Sequence, residues 1–182
     1  MPSLKEVKNR ITSVVSTQQI TKAMKMVAAA KLRRSQERII QMRPFALKLN
    51  AMLQNLSAAQ LNEDGDNWYS TIREEKKILV VAVSSDRGLC GSFNSNVFKG
   101  VNRLIDEKYA DQFRRGNVTV LTIGKKSADY FAKRKCSLVG DFTLMFSSLS
   151  FDRVSHAAEF IMQAFKEGKF DKVEIVYNEF KN

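Results

Sequence analysis

From Leu4 to Leu56 apolar residues recur at a three-then-four spacing, filling twelve of the sixteen positions 4, 7, 11, 14, 18, 21, 25, 28, 32, 35, 39, 42, 46, 49, 53 and 56. A repeat of roughly 3.5 residues held this long predicts a coiled-coil helix, not the single face of a globular one. Gln18, Thr21, Lys25 and Ser35 are the four interruptions, so the seam weakens through the middle of its first half. Ser3, with Glu6 three residues on, reads as a capping box that opens the helix. At roughly 1.5 Å per residue the rod is about 85 Å long. Pro44 lacks the N–H owed to the fourth-back carbonyl and is expected to bend it locally.

Beyond residue 76 the pattern alternates between strands and helices. Lys77–Ser85 reads as a buried strand, its apolar run Ile78–Val83 being the longest in the chain at six residues. A helix is predicted over 96–113, with Val97, Val101, Leu104, Ile105 and Tyr109 inward. A strand over 118–123, a helix over 125–134 and a short strand over 136–139 follow, then a polar loop through Ser150. A helix over 151–166, with Val154, Ala158, Ile161 and Phe165 inward, precedes a strand over 172–180. The fold class is therefore α/β: a long N-terminal coiled-coil helix, then an open, mostly parallel, Rossmann-like α/β domain. The expected boundaries are 1–61 for the helix, 62–76 for a linker containing the polar stretch Asn62–Asn67, and 77–182 for the α/β domain.

Charge sharpens this division. The whole chain is +11, yet residues 1–60 hold eleven basic and two acidic residues, while 61–182 hold nineteen and seventeen. A solitary helix cannot bury its seam. Self-pairing is disfavoured, because the flanking positions carry Lys8, Arg10, Lys22, Lys31, Arg38 and Arg43 with no acidic residue to offset them. A different helix is expected to complete the seam. A six-residue apolar run is far short of the roughly 20 a membrane span needs, so no direct membrane insertion is expected, and the N-terminus does not read as a leader. Cys90 and Cys136 form no CxxC and have no nearby His, which excludes a disulfide framework and a cysteine zinc site and suits a reducing compartment.

Little here reads as catalysis. The loop Ser84–Asn94 follows the first strand and carries Gly88 and Gly91, a GxxG spacing without the GxGxxG of dinucleotide sites or the GK[ST] of phosphate loops. It reads as a tight turn with Asn94 or Ser95 as helix cap, ahead of a ligand site. Cys90 has no triad partner, since His156 is the single histidine and reads as a surface or half-buried helix residue. Asp86 and Arg87 read as a local ion pair. No catalytic, cofactor-binding or metal-binding residue is expected. The basic rod admits a DNA-gripping reading, but its seam runs through the basic stretch and Phe45 is its one aromatic residue. Protein sheathing, with the cations facing acidic loops, is the other reading, and a solvated basic face the third.

Two stretches carry a specific resemblance. Ile20-Thr-Lys-Ala-Met-Lys-Met-Val-Ala-Ala-Ala-Lys-Leu-Arg-Arg34 resembles the N-terminal helix of the γ subunit of F-type ATP synthases, and Ser85-Asp-Arg-Gly-Leu-Cys-Gly-Ser-Phe-Asn94 resembles that family's sequence after its first strand. The resemblance covers essentially the whole chain. It implies a non-catalytic rotor shaft that couples a proton-driven membrane ring to conformational change in the catalytic β subunits. The implied partners are the α and β subunits, the ε subunit and the c ring, with no nucleic acid and no cofactor. Lys22, Met24 and Lys25 are carried over as partner contacts, with Arg33 and Arg34 also in the motif, and Asp86, Arg87, Gly88 and Gly91 as a structural loop. It further implies a long C-terminal helix antiparallel to the first, which these 182 residues lack, so a fragment is expected. The implied location is the cytoplasmic face of a bacterial inner membrane, as a peripheral protein. The alternative to all of this is a basic coiled-coil nucleic-acid-binding protein with an appended α/β domain.

Overall fold

Ser3 opens the first helix through its side chain: Oγ accepts the Glu6 N–H at 3.3 Å. The resulting helix α1 spans Leu4–Gln60 without interruption and contains Pro44. The structure, a computed structural model, describes residues 3–60, 69, 73–134 and 136–181. It divides into two units, Met1–Asp66 and Asn67–Asn182. Most of the expected linker 62–76, including Asn62–Asn67, lies outside the described residues. Along α1 the seam residues Val7, Ile11, Val14, Leu32, Leu49, Leu53 and Leu56 are exposed, and Ile39 alone among the seam's apolar positions is half-buried. The apolar positions of the seam are thus still open to water on both sides of its polar break.

The second unit is built on β1 (Ile78–Val83), an apolar run with no polar alternation. It pairs in parallel with β2 (Val118–Ile123) on one side and with β4 (Lys172–Val176) on the other. Strand β3 (Ser137–Phe142) pairs in parallel with β2, giving the order β3-β2-β1-β4. Alternate β1 residues feed two cores. Ile78, Val80 and Ala82 pack with Val97, Val101 and Ile105 of α2 (Phe93–Lys108) and Phe131 of α4 (Lys125–Ala132). Leu79 and Val81 pack with Phe160, Ile161 and Ala164 of α5 (Phe151–Lys166). Burying an aliphatic side chain contributes about 1.5–3 kcal/mol, so these two layers hold the sheet.

The expected fold class is observed, with several local corrections. Helix α2 begins at Phe93, three residues earlier than expected, and stops before Tyr109. Tyr109 leaves helical geometry (φ −124°, ψ 26°) as its ring enters the core, and a short helix α3 (Ala110–Arg114) follows. On α5 the inward set is Ala157, Phe160, Ile161 and Ala164, while Val154 and Ala158 are exposed. Ala157 and Ala164 present small side chains to the sheet, and Phe165 stays half-buried at the flank. Strand β3 runs three residues past its expected end, because left-handed Gly140 (φ 74°) accompanies a register shift that lets Phe142 pair with Ile123. The polar loop after it contains a single 3₁₀ turn, Met145–Ser148. Strand β4 ends at Val176, and beyond it the Asn178 side chain turns to donate to the Phe93 carbonyl at 2.7 Å.

One polar cluster ties α2 to the β4 edge. Glu174 Oε1 accepts from Lys108 Nζ at 2.8 Å and from Tyr109 Oη at 2.9 Å. Burial pushes the Glu174 carboxyl up, but the two hydrogen bonds and the Lys108 and Lys172 cations outweigh it, holding it below the usual carboxylate range. Burial, followed by smaller opposed effects from its hydrogen-bond partners, pushes the Tyr109 phenol up to about 12. A depressed carboxylate stabilises the fold above its unfolded pKa, and that contribution is lost as pH falls through the folded value. A raised phenol does the converse: stability declines as pH climbs from about 10, where the unfolded chain ionises, towards the folded value. Denaturant titrations across pH are therefore expected to show a shallower acid limb for Glu174→Gln and a shallower alkaline limb for Tyr109→Phe.

Exchange rates report the state of the seam. A long helix with no buried face is marginal, because most helical stability in proteins comes from packing. In the isolated 182-residue chain, amides from Leu4 to Leu56 are expected to exchange quickly while Leu79–Val83 stay protected. Slow exchange along α1 in a demonstrated monomer would contradict this.

Candidate functional site

At roughly 100° per residue, the polar break in the α1 seam forms one face. Ser13, Val14, Thr17, Gln18, Thr21, Lys22 and Lys25 line a shallow furrow along it. The threonines fold back on their own helix: Thr17 Oγ1 donates to the Ser13 carbonyl at 2.9 Å and Thr21 Oγ1 to the Thr17 carbonyl at 2.8 Å. Their donors are spent within the helix, so the furrow offers a neighbour few unspent hydroxyls. Lys25 lies on this face, while Lys22 and Met24 flank it about 160° apart around the helix. All three are exposed. Arg33 is exposed too, but its Nε donates to Glu37 Oε1 at 3.0 Å, one turn on. Arg34 is exposed and lies about 100° around the helix from Arg33.

In the second unit the loop after β1 is closed by its own side chains. Asn94 does not cap α2, and neither does Ser95; Ser92 occupies the cap position. Asn94 is instead buried inside the loop, where Oδ1 accepts the Ser85 N–H and lies 3.0 Å from Ser85 Oγ. Its Nδ2 donates to the Arg87 carbonyl at 3.4 Å and lies 3.2 Å from Cys90 Sγ. The Asp86 carboxylate turns away from the expected ion pair with Arg87 and accepts the Lys125 N–H, the first residue of α4, at 3.2 Å. A carboxylate at a helix N-terminus is favoured by the helix dipole. The Arg87 side chain is exposed.

The two loop glycines are not equivalent. Gly91 has φ 58° and needs the left-handed region, whereas a Cβ on Gly88 would meet only Lys126 Cε at 4.0 Å. Leu89 also adopts φ 60°, with its side chain fully exposed. Among the described glycines, the tightest backbone approach lies outside the two stretches that carry the resemblance. A Cβ on Gly124 would stand 2.2 Å from the Ser84 carbonyl oxygen. There Ser84 Oγ accepts the Ser127 N–H at 2.8 Å, and both serines are buried. The sequence signal was a glycine directly after the strand Val118–Ile123.

Chemically this loop is a self-satisfied turn. His156 sits on the α5 surface, edge-on to Phe142 at 6.0 Å, and not among the loop residues. Among the described residues no three His, Cys, Asp or Glu side chains cluster as metal ligands. Asp86 already occupies the first amide of α4, a position that favours an anion. Calorimetric titration of the α/β unit with ATP or NAD is therefore expected to give no saturable binding; a micromolar isotherm would overturn this.

Comparison with known proteins bears on both regions. The ATP synthase family profile matches residues 3–182. The ATP synthase gamma chain of Cytophaga hutchinsonii is 54% identical over all 182 residues, which make up 61% of its length. That of Flavobacterium johnsoniae is 48% identical over the same span, again 61% of its length. Among solved structures, a chain of the central stalk and c-ring of Tetrahymena thermophila mitochondrial ATP synthase is similar at a TM-score of 0.59 and 30% identity, covering 90% of this chain and 66% of that one. The chain spans about three fifths of the length of the curated relatives it matches. None of these relatives supports the nucleic-acid alternative.

Proposed function

The chain belongs to the ATP synthase family, among its gamma chains, and from that premise we propose that it is a non-catalytic rotor shaft of a proton-translocating F-type ATP synthase. The observation that carries the reading is the family match along residues 3–182, spanning both the open-seamed helix and the parallel sheet. The shaft couples rotation of a membrane c ring to conformational change in the catalytic β subunits. Its other partners are the α subunits, which alternate with β, and the ε subunit. The helix forms the shaft, and the segment around 62–76 joins it to the α/β domain. No helix among the described residues is long and apolar enough to cross a membrane. In this reading the chain acts as a peripheral protein on the cytoplasmic face of a bacterial inner membrane; its gamma-chain relatives named above from Cytophaga hutchinsonii and Flavobacterium johnsoniae are bacterial.

Lys22, Met24 and Lys25 contact β-subunit loops, with Arg33 and Arg34 further along the same helix. Coupling requires a face that presses on its neighbours without adhering to them. The furrow between Ser13 and Lys25 suits that task, because its threonine hydroxyls are internally bonded. Met24 offers an apolar, adaptable flank. Exposed lysines form only weak pairs with acidic loops. Asp86, Arg87, Gly88 and Gly91 belong to a loop that maintains the domain's shape and performs no chemistry.

Replacing Met24 by Lys puts a third cation around this face, on the flank opposite Lys22, and favours over-strong attachment to an acidic loop. In membrane vesicles carrying the assembled complex, Met24→Lys is expected to retain ATP hydrolysis and lower the ratio of proton transport to hydrolysis. An unchanged ratio counts against a transmission role for this position. Equal loss of both activities points to failed assembly, and recovery of the chain with nucleic acid but without α and β subunits refutes the shaft reading.

A further inference from the structure

The chain that leaves α1 enters the sheet through residues 73–77, and this short stretch is fastened to the α/β unit at several separate places. Arg73 Nη1 donates to the Phe165 carbonyl at 2.7 Å, at the C-terminal turn of α5, and its guanidinium lies 4.6 Å from the centre of the Phe165 ring. The Phe165 carbonyl also accepts the Gly168 N–H at 3.1 Å, so Arg73 adds a second, charged donor at the negative end of the helix dipole, where a cation is favoured. Two residues on, the Glu75 carbonyl accepts from Gln112 Nε2 of α3 at 3.0 Å, and the Glu75 carboxylate pairs with Lys172 of β4 at 3.2 Å. The Lys77 N–H then donates to Asp171 Oδ2 at 2.9 Å, and the Lys77 carbonyl accepts the Asp171 N–H at 2.8 Å.

These ties reach elements on both sides of the sheet. Helix α5 packs on the face of Leu79 and Val81, whereas α3 continues from α2, which packs on the face of Ile78 and Val80. Force entering along the chain would otherwise pull β1 lengthwise and load its ladders with β2 and β4 alone. Fastening the chain ahead of β1 passes that force to both helical layers first. Resting on the shaft reading above, we infer that residues 73–77 are a force-transmitting strap, with Arg73 as the positioning residue that engages first.

The test uses Arg73→Ala and Arg73→Lys in the assembled complex, with Gln112→Ala as a variant that cuts only the α3 tie. Loss of the charge-assisted Arg73 bond is expected to speed exchange of the Lys76 and Lys77 amides by about tenfold while Leu79–Val83 remain protected. In vesicles, protons moved per ATP hydrolysed should match the wild type at zero opposing gradient and fall progressively as the gradient rises. A tie that yields under force slips only when the load is high. Gln112→Ala should show the same trend more weakly, and Arg73→Lys should lie between Arg73→Ala and wild type. An unchanged ratio at every gradient, in complexes that contain the chain, overturns the strap and leaves the shaft reading intact. Unchanged amide exchange in Arg73→Ala also overturns it. Absence of the chain from the complex overturns both.

Discussion

Strand β1 leaves no face for water: its six residues are apolar, five are buried and the sixth, Val83, is half-buried. It is hydrogen-bonded on both sides, and its odd and even residues root two separate cores. No neighbouring element in the second unit keeps its position without it. Helices α2 and α4 lie against one set of its side chains and α5 against the other. Near-continuous hydrophobicity is what a parallel strand covered on both faces requires. The two segments that merit functional attention are its two ends: the closed loop at 84–94 and the entry segment at 73–77.

Helix α1 is the opposite case. Its seam is as regular as the β1 run is apolar, yet its apolar positions remain exposed. Conformational entropy makes such a helix costly to order alone, so the exposed seam is a surface whose burial requires a partner that α1 does not itself supply. Where the seam falters, at Gln18, Thr21 and Lys25, the side chains satisfy themselves or stand free of the helix. That break is not a defect in the periodicity. On the shaft reading, an uninterrupted apolar stripe there would bind a neighbour continuously, while a polar, internally bonded stretch would permit contact without capture.

Much of this was legible in the residues. The seam gave α1, the run Ile78–Val83 gave the central strand, and α5 fell on its expected bounds because Ser150 caps it and its apolar spacing is helical. What escaped was decided by contacts distant in sequence. The break at Tyr109 follows from a hydroxyl reaching Glu174, sixty-five residues on. The phase of α5 was read from Val154, Ala158, Ile161 and Phe165, whereas close packing on the sheet selected the alanines at 157 and 164. Asn94 looks locally like a helix cap; only once the loop closes does it have Ser85, Arg87 and Cys90 to bond. For the loop, its existence was readable and its wiring was not.

That wiring bears on the expectation that this sheet binds no nucleotide. In open α/β sheets a ligand crevice forms where the strand order reverses, and here the reversal lies between β1 and β4. At the C-terminal ends of these strands the Asn178 side chain is bonded to the Phe93 carbonyl, at the first residue of α2, and Asn94 draws the β1 loop inward. Asp86 meanwhile occupies the amide at the start of α4. These bonds cross-link strands to helices at the C-terminal end of the sheet. On the shaft reading, an α/β unit closed in this way would resist deformation at its loops, as a body that transmits force needs and a pocket that admits ligands does not.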